Sequence, residues 1–326
     1  MSPNAQNNSG LALLLSLARE RLSKMQAQAL SNTRWLVSEL GIDEPAFMDA
    51  LISEAKPKLV SFEAQALANM AYSLAKLGRE HKAFMSVLLD TASTKLPSFH
   101  AQDLANILWA IAKMGHRSKF FVSLLLMEAK SKLPGFTAQA LANTALANTA
   151  WALATLGYKD EAFMGALLAA AVPKLASFTS QNISNTAWAL ATLACHDAAF
   201  MGSLLVAAET NLLSFKPQEL ANTVWALATM GHKDDTFVGA LLVAAAHKLP
   251  SFDAQNLANT AWALATLGHK DEAFMSDLLA AAKPKLPSFA LANMIQMSFA
   301  LTKFNIKGAE FERALEARRA QLGGGK

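Results

Sequence analysis

Apolar and polar positions along this chain recur with a helical period, and one pattern of them returns many times over. In segments such as 254–268, AQNLANTAWALATLG, apolar residues come back at spacings of three and four, which predicts a helix with a packed side. A second apolar run follows within a few residues, and a Leu-Pro-Ser-Phe link then leads to the next segment of the first kind. Three ladders fix the register. A Phe opens each unit at Phe62, Phe99, Phe136, Phe178, Phe215, Phe252 and Phe289, with Met25 in the first. Ten positions later stands an aromatic: Trp35, Tyr72, Trp109, Trp151, Trp188, Trp225, Trp262 or Phe299. A second Phe ladder (Phe47, Phe84, Phe121, Phe163, Phe200, Phe237, Phe274, Phe311) marks the second half of each unit.

The pattern predicts an all-α fold, a right-handed α-solenoid of eight two-helix repeats of 37 residues starting at 25, 62, 99, 136, 178, 215, 252 and 289. Residues 1–24 are expected to form an N-terminal capping helix, and 25–326 a single solenoid domain. Thr137, Thr179 and Asp253 are suitable N-caps for the first helix of a unit, helix A, and Pro217 suits its first turn. Gly41, Gly78, Gly115, Gly157, Gly231 and Gly268 stand where a left-handed residue ends helix A. Helix B is expected to start at Asp160, Asp197, Asp234 or Asp271 and to stop near Pro57, Pro173 and Pro284. One interval is 42 residues rather than 37, because LANTALANTA at 141–150 duplicates five residues inside a helix A. Five residues add about 7.5 Å and about 140° of phase, so that helix is expected to be longer, with Asn148 and Trp151 in register and Asn143 displaced.

Numbered from the ladder Phe, Leu at +5 and +12, Ala at +2, +6, +9 and +13 and the aromatic at +10 share one arc, read as the packed side. Positions +1, +4, +7, +8, +11 and +14 share the opposite arc. Position +7 is Asn32, Asn69, Asn106, Asn143 or Asn148, Asn185, Asn222, Asn259 and finally Gln296. Two readings of this ladder stand: amides holding neighbouring repeats in register, or amides touching a ligand. Positions +1 and +4 vary, as Gln26/Ala29, Glu63/Ala66, His100/Asp103, Thr137/Ala140, Thr179/Asn182, Lys216/Glu219, Asp253/Asn256 and Ala290/Asn293. A constant frame with a variable polar pair suits a modular reader, with Asp103, Asn182, Glu219, Asn256 and Asn293 as candidate base contacts. The Trp ladder reads as core.

Four residues before each ladder Phe stands Arg21, Lys58, Lys95, Lys132, Lys174, Asn211, Lys248 or Lys285. These cations either offset the dipole of helix B or line up phosphates beside the helix A N-termini. The net charge, +4 over 326 residues, adds little. Hydrophobic residues make up 53% of the chain and aromatic ones 8%, a helix-rich composition. A lone Cys195 excludes a disulfide framework and fits a reducing, intracellular compartment, an organelle or a bacterial cytoplasm. The uncharged stretch Leu133 to Tyr158 is rich in Asn, Thr and Gln, so a buried helix is expected rather than a membrane span. No targeting segment is read in the Leu-rich start, Leu11 to Leu17. The seven His residues lack metal-ligand spacing, no phosphate loop follows a strand, and no catalytic set is visible. The chain is therefore expected to be a binding protein without cofactor, metal, membrane or small-molecule substrate, and a monomer.

The pattern Leu-Pro-Ser-Phe…Gln-x-Leu-Ala-Asn-Thr-x-Trp-Ala-Leu-Ala resembles the octotricopeptide repeat over about residues 20–320. That resemblance implies single-stranded RNA binding, about one nucleotide per repeat, in post-transcriptional control of particular transcripts. Helix B departs from the family at its start, where variants of Lys-Asp-Glu-Ala-Phe, as at Lys159 to Phe163, replace Pro-Pro-Pro-Glu-Trp. Bases are then expected at +4 and +7, and phosphates at the seven basic residues of the ladder. The rival reading is a protein- or peptide-binding solenoid or a bacterial effector.

Overall fold

The computed structural model describes residues 15–137 and 149–317, apart from 40, 41, 43, 79, 80, 117, 159, 308, 310 and 315. Gly41, Lys159, Asn143, Asn148, most of the duplicated segment and most of the expected capping segment lie outside the described residues. The described residues form helices and no strands. Helices of the A kind are α1 (Ala27–Glu39), α3 (Ala64–Lys76), α5 (Ala101–Lys113), α7 (Thr149–Leu156), α9 (Ser180–Thr192), α11 (Pro217–Met230), α13 (Ala254–Leu267) and α15 (Leu291–Phe304). Helices of the B kind are α2 (Pro45–Ala55), α4 (Lys82–Ser93), α6 (Lys119–Lys132), α8 (Glu161–Ala171), α10 (Ala198–Glu209), α12 (Asp235–Ala246) and α14 (Glu272–Ala282).

Local signals in the sequence account for these boundaries. Asp197, Asp234 and Asp271 accept hydrogen bonds from the backbone N–H of Phe200, Phe237 and Phe274 at 2.8–2.9 Å, capping α10, α12 and α14. Asp160 does the same for Phe163 at the start of α8. Gly231 and Gly268 end α11 and α13 with φ of +65° and +76°. At the equivalent place after α9 the chain carries Ala194, held at φ +50°, a conformation costing a residue with a Cβ about 1 kcal/mol. After each described B helix the chain tightens into a 3-10 turn, such as Leu96–Ser98 or Leu249–Ser251, with Pro in its first positions everywhere but in Leu212–Ser214. No helix of the described residues is long and apolar enough to cross a membrane.

The helices fall into two compact bodies. One holds α1 to α6 with the chain from Trp151 to Leu167, and the other holds Thr137–Ala150 and the chain from Leu168 onwards. Within the first, α1 packs on α3 and α3 on α5; within the second, α9, α11, α13 and α15 stack in that order. This side-by-side stacking of A helices is the packing of a solenoid. The ladder Phe at the start of each unit plugs the seam, and Phe62, Phe99, Phe215, Phe252 and Phe289 are fully buried. The second Phe ladder is buried as well, from Phe47 to Phe311.

The basic ladder has a place in this frame that neither sequence reading anticipated. The Lys58 ammonium donates to the carbonyls of Ser23 and Met25, both at 3.0 Å, in the link of the preceding hairpin. Lys95 reaches Val60 and Phe62 at 2.8 and 2.7 Å, and Lys132 reaches Pro97 and Phe99 at 2.7 and 2.6 Å. In the second body Lys248 holds Leu213 and Phe215, and Lys285 holds Pro250 and Phe252. Each of these ammoniums bridges two carbonyls of the link one hairpin earlier, so the lysines are clamps between consecutive links. Lys58 and Lys132 also pair with Glu54 and Glu128, four residues earlier in the chain.

Candidate nucleic-acid interface

Two-sided amphipathicity is the wrong frame for the A helices. An inner helix of a stack touches the A helix before it, the A helix after it and its own B helix, so only a narrow strip is left over. The small residues at +8 and +11 belong to the packed flanks: Thr186, Thr223, Thr260, Ala189, Ala226 and Ala263 are buried. Thr223 and Thr260 return their hydroxyl protons to the carbonyls of Glu219 and Asn256, four residues back, at 2.8 Å. Small side chains there let neighbouring helices come close.

The +4 residues lie at the starts of the A helices. Asp103, Asn182, Glu219 and Asn256 are buried, and Asn293 is half-buried. They occupy the third position of helix A, and Asp103, Asn182, Glu219 and Asn293 are engaged with its N-terminus. The N–H of His100 donates to Asp103 at 2.9 Å, that of Thr179 to Asn182 at 3.1 Å and that of Lys216 to Glu219 at 2.8 Å. The N–H of Ala290 donates to Asn293 at 3.3 Å. These are capping interactions, and they explain why the residue type at +4 is confined to Asp, Asn or Glu where it is polar.

Burial raises the Asp103 carboxyl above its ordinary range, and the His100 N–H, the His100 ring charge and the Lys132 ammonium offset this only in part. A carboxyl raised in the fold binds its proton more tightly there than in the unfolded chain. Its contribution to stability is therefore complete below the usual value of 3.8 and is lost as pH rises through the raised value. An amide accepts the same N–H without titrating, as Asn182 does. Asp103→Asn is accordingly expected to raise the thermal midpoint at pH 7, with the gain shrinking towards pH 3.5. Melting curves at the two pH values check this; a gain independent of pH contradicts it.

The strip that stays accessible runs through +3, +7, +10 and +14, a single helical row. Gln28, Gln65, Gln102, Gln181, Gln218 and Gln255 at +3 are exposed, and Ala292 takes that place on α15. At +7, Asn32 is exposed while Asn69, Asn106, Asn185, Asn222, Asn259 and Gln296 are half-buried. The aromatic ladder lies on this strip and not in the core. Trp35 and Phe299 are each 44% exposed, and Tyr72, Trp109, Trp188, Trp225 and Trp262 are half-buried. Position +14 closes the row with Glu39, Lys76, Lys113, Thr155, Thr192, Thr229, Thr266 and Lys303.

Rungs on adjacent A helices touch. The rings of Tyr72 and Trp109 have centroids 4.9 Å apart, and those of Trp225 and Trp262 are 6.5 Å apart, both pairs tilted. Gln296 donates to Asn259 on the neighbouring helix at 3.1 Å. In the second body a shallow groove follows the strip, lined by Trp188, Asn222, Trp225, Gln255, Asn259 and Gln296. Such a surface offers flat π faces for stacking and an amide edge beside each, one donor and one acceptor at a time. It carries little charge. Lys76 is paired with Glu39 at 2.8 Å, which leaves Lys113 and Lys303 as the basic ends of rungs. Among the described residues no three His, Cys, Asp or Glu side chains converge as metal ligands.

The Gln ladder was missed in the sequence although its signal was there. Gln stands three positions after the ladder residue in seven of the eight expected units, Gln139 included. Its constancy matches that of Asn and Trp, four and seven positions further on.

The family model described as the Tbc2 translation factor, N-terminal domain, matches the chain twice, over residues 9–162 and 152–315. No curated protein matches it.

Proposed function

The chain belongs to the family of the Tbc2 translation factor N-terminal domain, and from that premise we propose that it binds single-stranded RNA in post-transcriptional control of particular transcripts. The observation that carries this reading is the strip of Gln, Asn and aromatic rungs repeated from one A helix to the next. Unstacked bases lie flat on aromatic side chains, and their edges bond to amides, whereas duplexes hide both features. The name of the matched family, a translation factor, points the same way, and so does the resemblance to the octotricopeptide repeat. About one nucleotide meets each rung, and the protein acts as a monomeric binding scaffold without a reaction of its own.

The test is direct. Purified protein is titrated into a labelled single-stranded RNA pool and, separately, into duplex RNA of equal length, with fluorescence anisotropy as readout. Saturable binding to the single strand with weak binding to the duplex is expected. Failure to bind any single strand, with extended peptides captured instead, would return the strip to a peptide-binding role.

A further inference from the structure

The rungs of α9, α11 and α13 carry the same four residue types, with the Asn259 side-chain carbonyl oxygen accepting from Gln296 at the end of the run. Gln181, Asn185, Trp188 and Thr192 on α9 are followed by the same four residue types at the same four positions on α11 and on α13. The run ends at α15, where all four types change, to Ala292, Gln296, Phe299 and Lys303. The rungs of α3 and α5 differ too, since they finish in Lys76 and Lys113 where the three carry Thr, while α7 carries Trp151 and Thr155 and its Gln and Asn positions lie outside the described residues. All three identical rungs belong to one compact body and lie on helices that stack in succession.

We infer that the ligand presents the same base at three successive positions, one on each of these rungs. The inference rests on the RNA reading above and adds to it the pattern of the target. Discrimination between bases is a difference in binding energy at one site, so sites of equal chemistry prefer equal bases. A reader that takes one base per helical repeat with two or three side chains then imposes a repeated letter wherever its side chains repeat. The 6.5 Å between the Trp225 and Trp262 rings separates successive platforms on the scale of successive nucleotides in an unstacked strand.

Two other sets of side chains vary along these helices, and neither breaks the equality. The +4 residues Asn182, Glu219 and Asn256 are buried in the helix starts. At +1, Thr179 and Asp253 spend their side-chain oxygens on the N–H of Asn182 and Asn256, at 3.3 and 2.7 Å. Lys216, the third residue at +1, is a point charge suited to a phosphate, which carries no sequence information.

The experiment is a selection from a random single-stranded RNA pool on the full chain, followed by affinity measurements on the enriched sequence and its variants. The expected result is a run of three identical bases in the enriched sequences, with about a tenfold loss of affinity when its middle base is exchanged. Asn222→Asp, which replaces a donor and acceptor by acceptors alone, is expected to change the preferred base at the middle position only. Enriched sequences with three different bases in that window, or equal binding of the run and its interrupted variants, would overturn the inference while leaving RNA binding intact. Absence of any enrichment, with no affinity for the starting pool, would overturn the RNA reading itself and this inference with it.

Discussion

Replacing Lys95 and Lys132 together by Met is expected to lower the unfolding free energy by about 3 kcal/mol and to leave RNA affinity unchanged. Each ammonium spans two backbone carbonyls of the preceding link, and a hydrogen bond to a charged group contributes roughly 1.5–3 kcal/mol before solvent exposure reduces it. Methionine keeps the length and packing of the stem while removing the donor. Had the lysines served only the helix B dipole, the loss would be a few tenths of a kcal/mol per site. Had they met phosphates, RNA binding would weaken and its salt dependence would flatten. Seven phosphate contacts give a slope of log K against log salt of about −5, whereas contacts from Lys113, Lys216 and Lys303 alone give about −2.1. Denaturant unfolding together with a salt titration separates the three cases. The second body offers the reverse experiment. Asn211 stands where a clamp lysine is absent, and its neighbours' register assigns it the carbonyls of Ala176 and Phe178. Asn211→Lys is expected to add about 1 kcal/mol by supplying the missing clamp.

Trp225→Leu combined with Trp262→Leu is expected to cost about 4 kcal/mol of RNA binding, close to a thousandfold, with the thermal midpoint near that of the parent. Stacking of a base on an aromatic side chain contributes about 1–3 kcal/mol, and two platforms are lost at once. The two rings are half-buried, and leucine fills most of the apolar contact they make with the flanking helices. Phe in place of Trp retains a π face and is expected to recover most of the affinity. A double Leu variant that binds RNA as the parent does would remove the aromatic ladder from the interface.

The helices were legible because their signals are local. Asp before helix B, Gly after helix A and Pro in the links act within a few residues, so each boundary can be read without knowing the neighbours. Buried Phe ladders were legible for a related reason, since a large apolar residue at fixed spacing has few other uses. The free face was not legible in the same way. A helical wheel divides a helix into an apolar and a polar half, but α11 has neighbours on three sides, and its polar Glu219 and Thr223 are both buried. Small and capping residues therefore looked exposed when they were packed. Trp225 looked like core because it is large and apolar, although it stands on the accessible strip. The lysine clamps were invisible for a further reason: their acceptors are backbone carbonyls 33 and 35 residues away, which no side-chain pattern marks.

Every Trp of the sequence belongs to the aromatic ladder, so the intrinsic tryptophan emission of the protein reports on that ladder. The most direct measurement is a titration of that emission with single-stranded RNA, run beside an anisotropy titration of the same samples. Stacked bases quench indole fluorescence, so emission is predicted to fall in proportion to RNA bound and to level off at the same saturation point. Bound RNA with unchanged emission would contradict the account, because the RNA would then lie away from the strip of A helices.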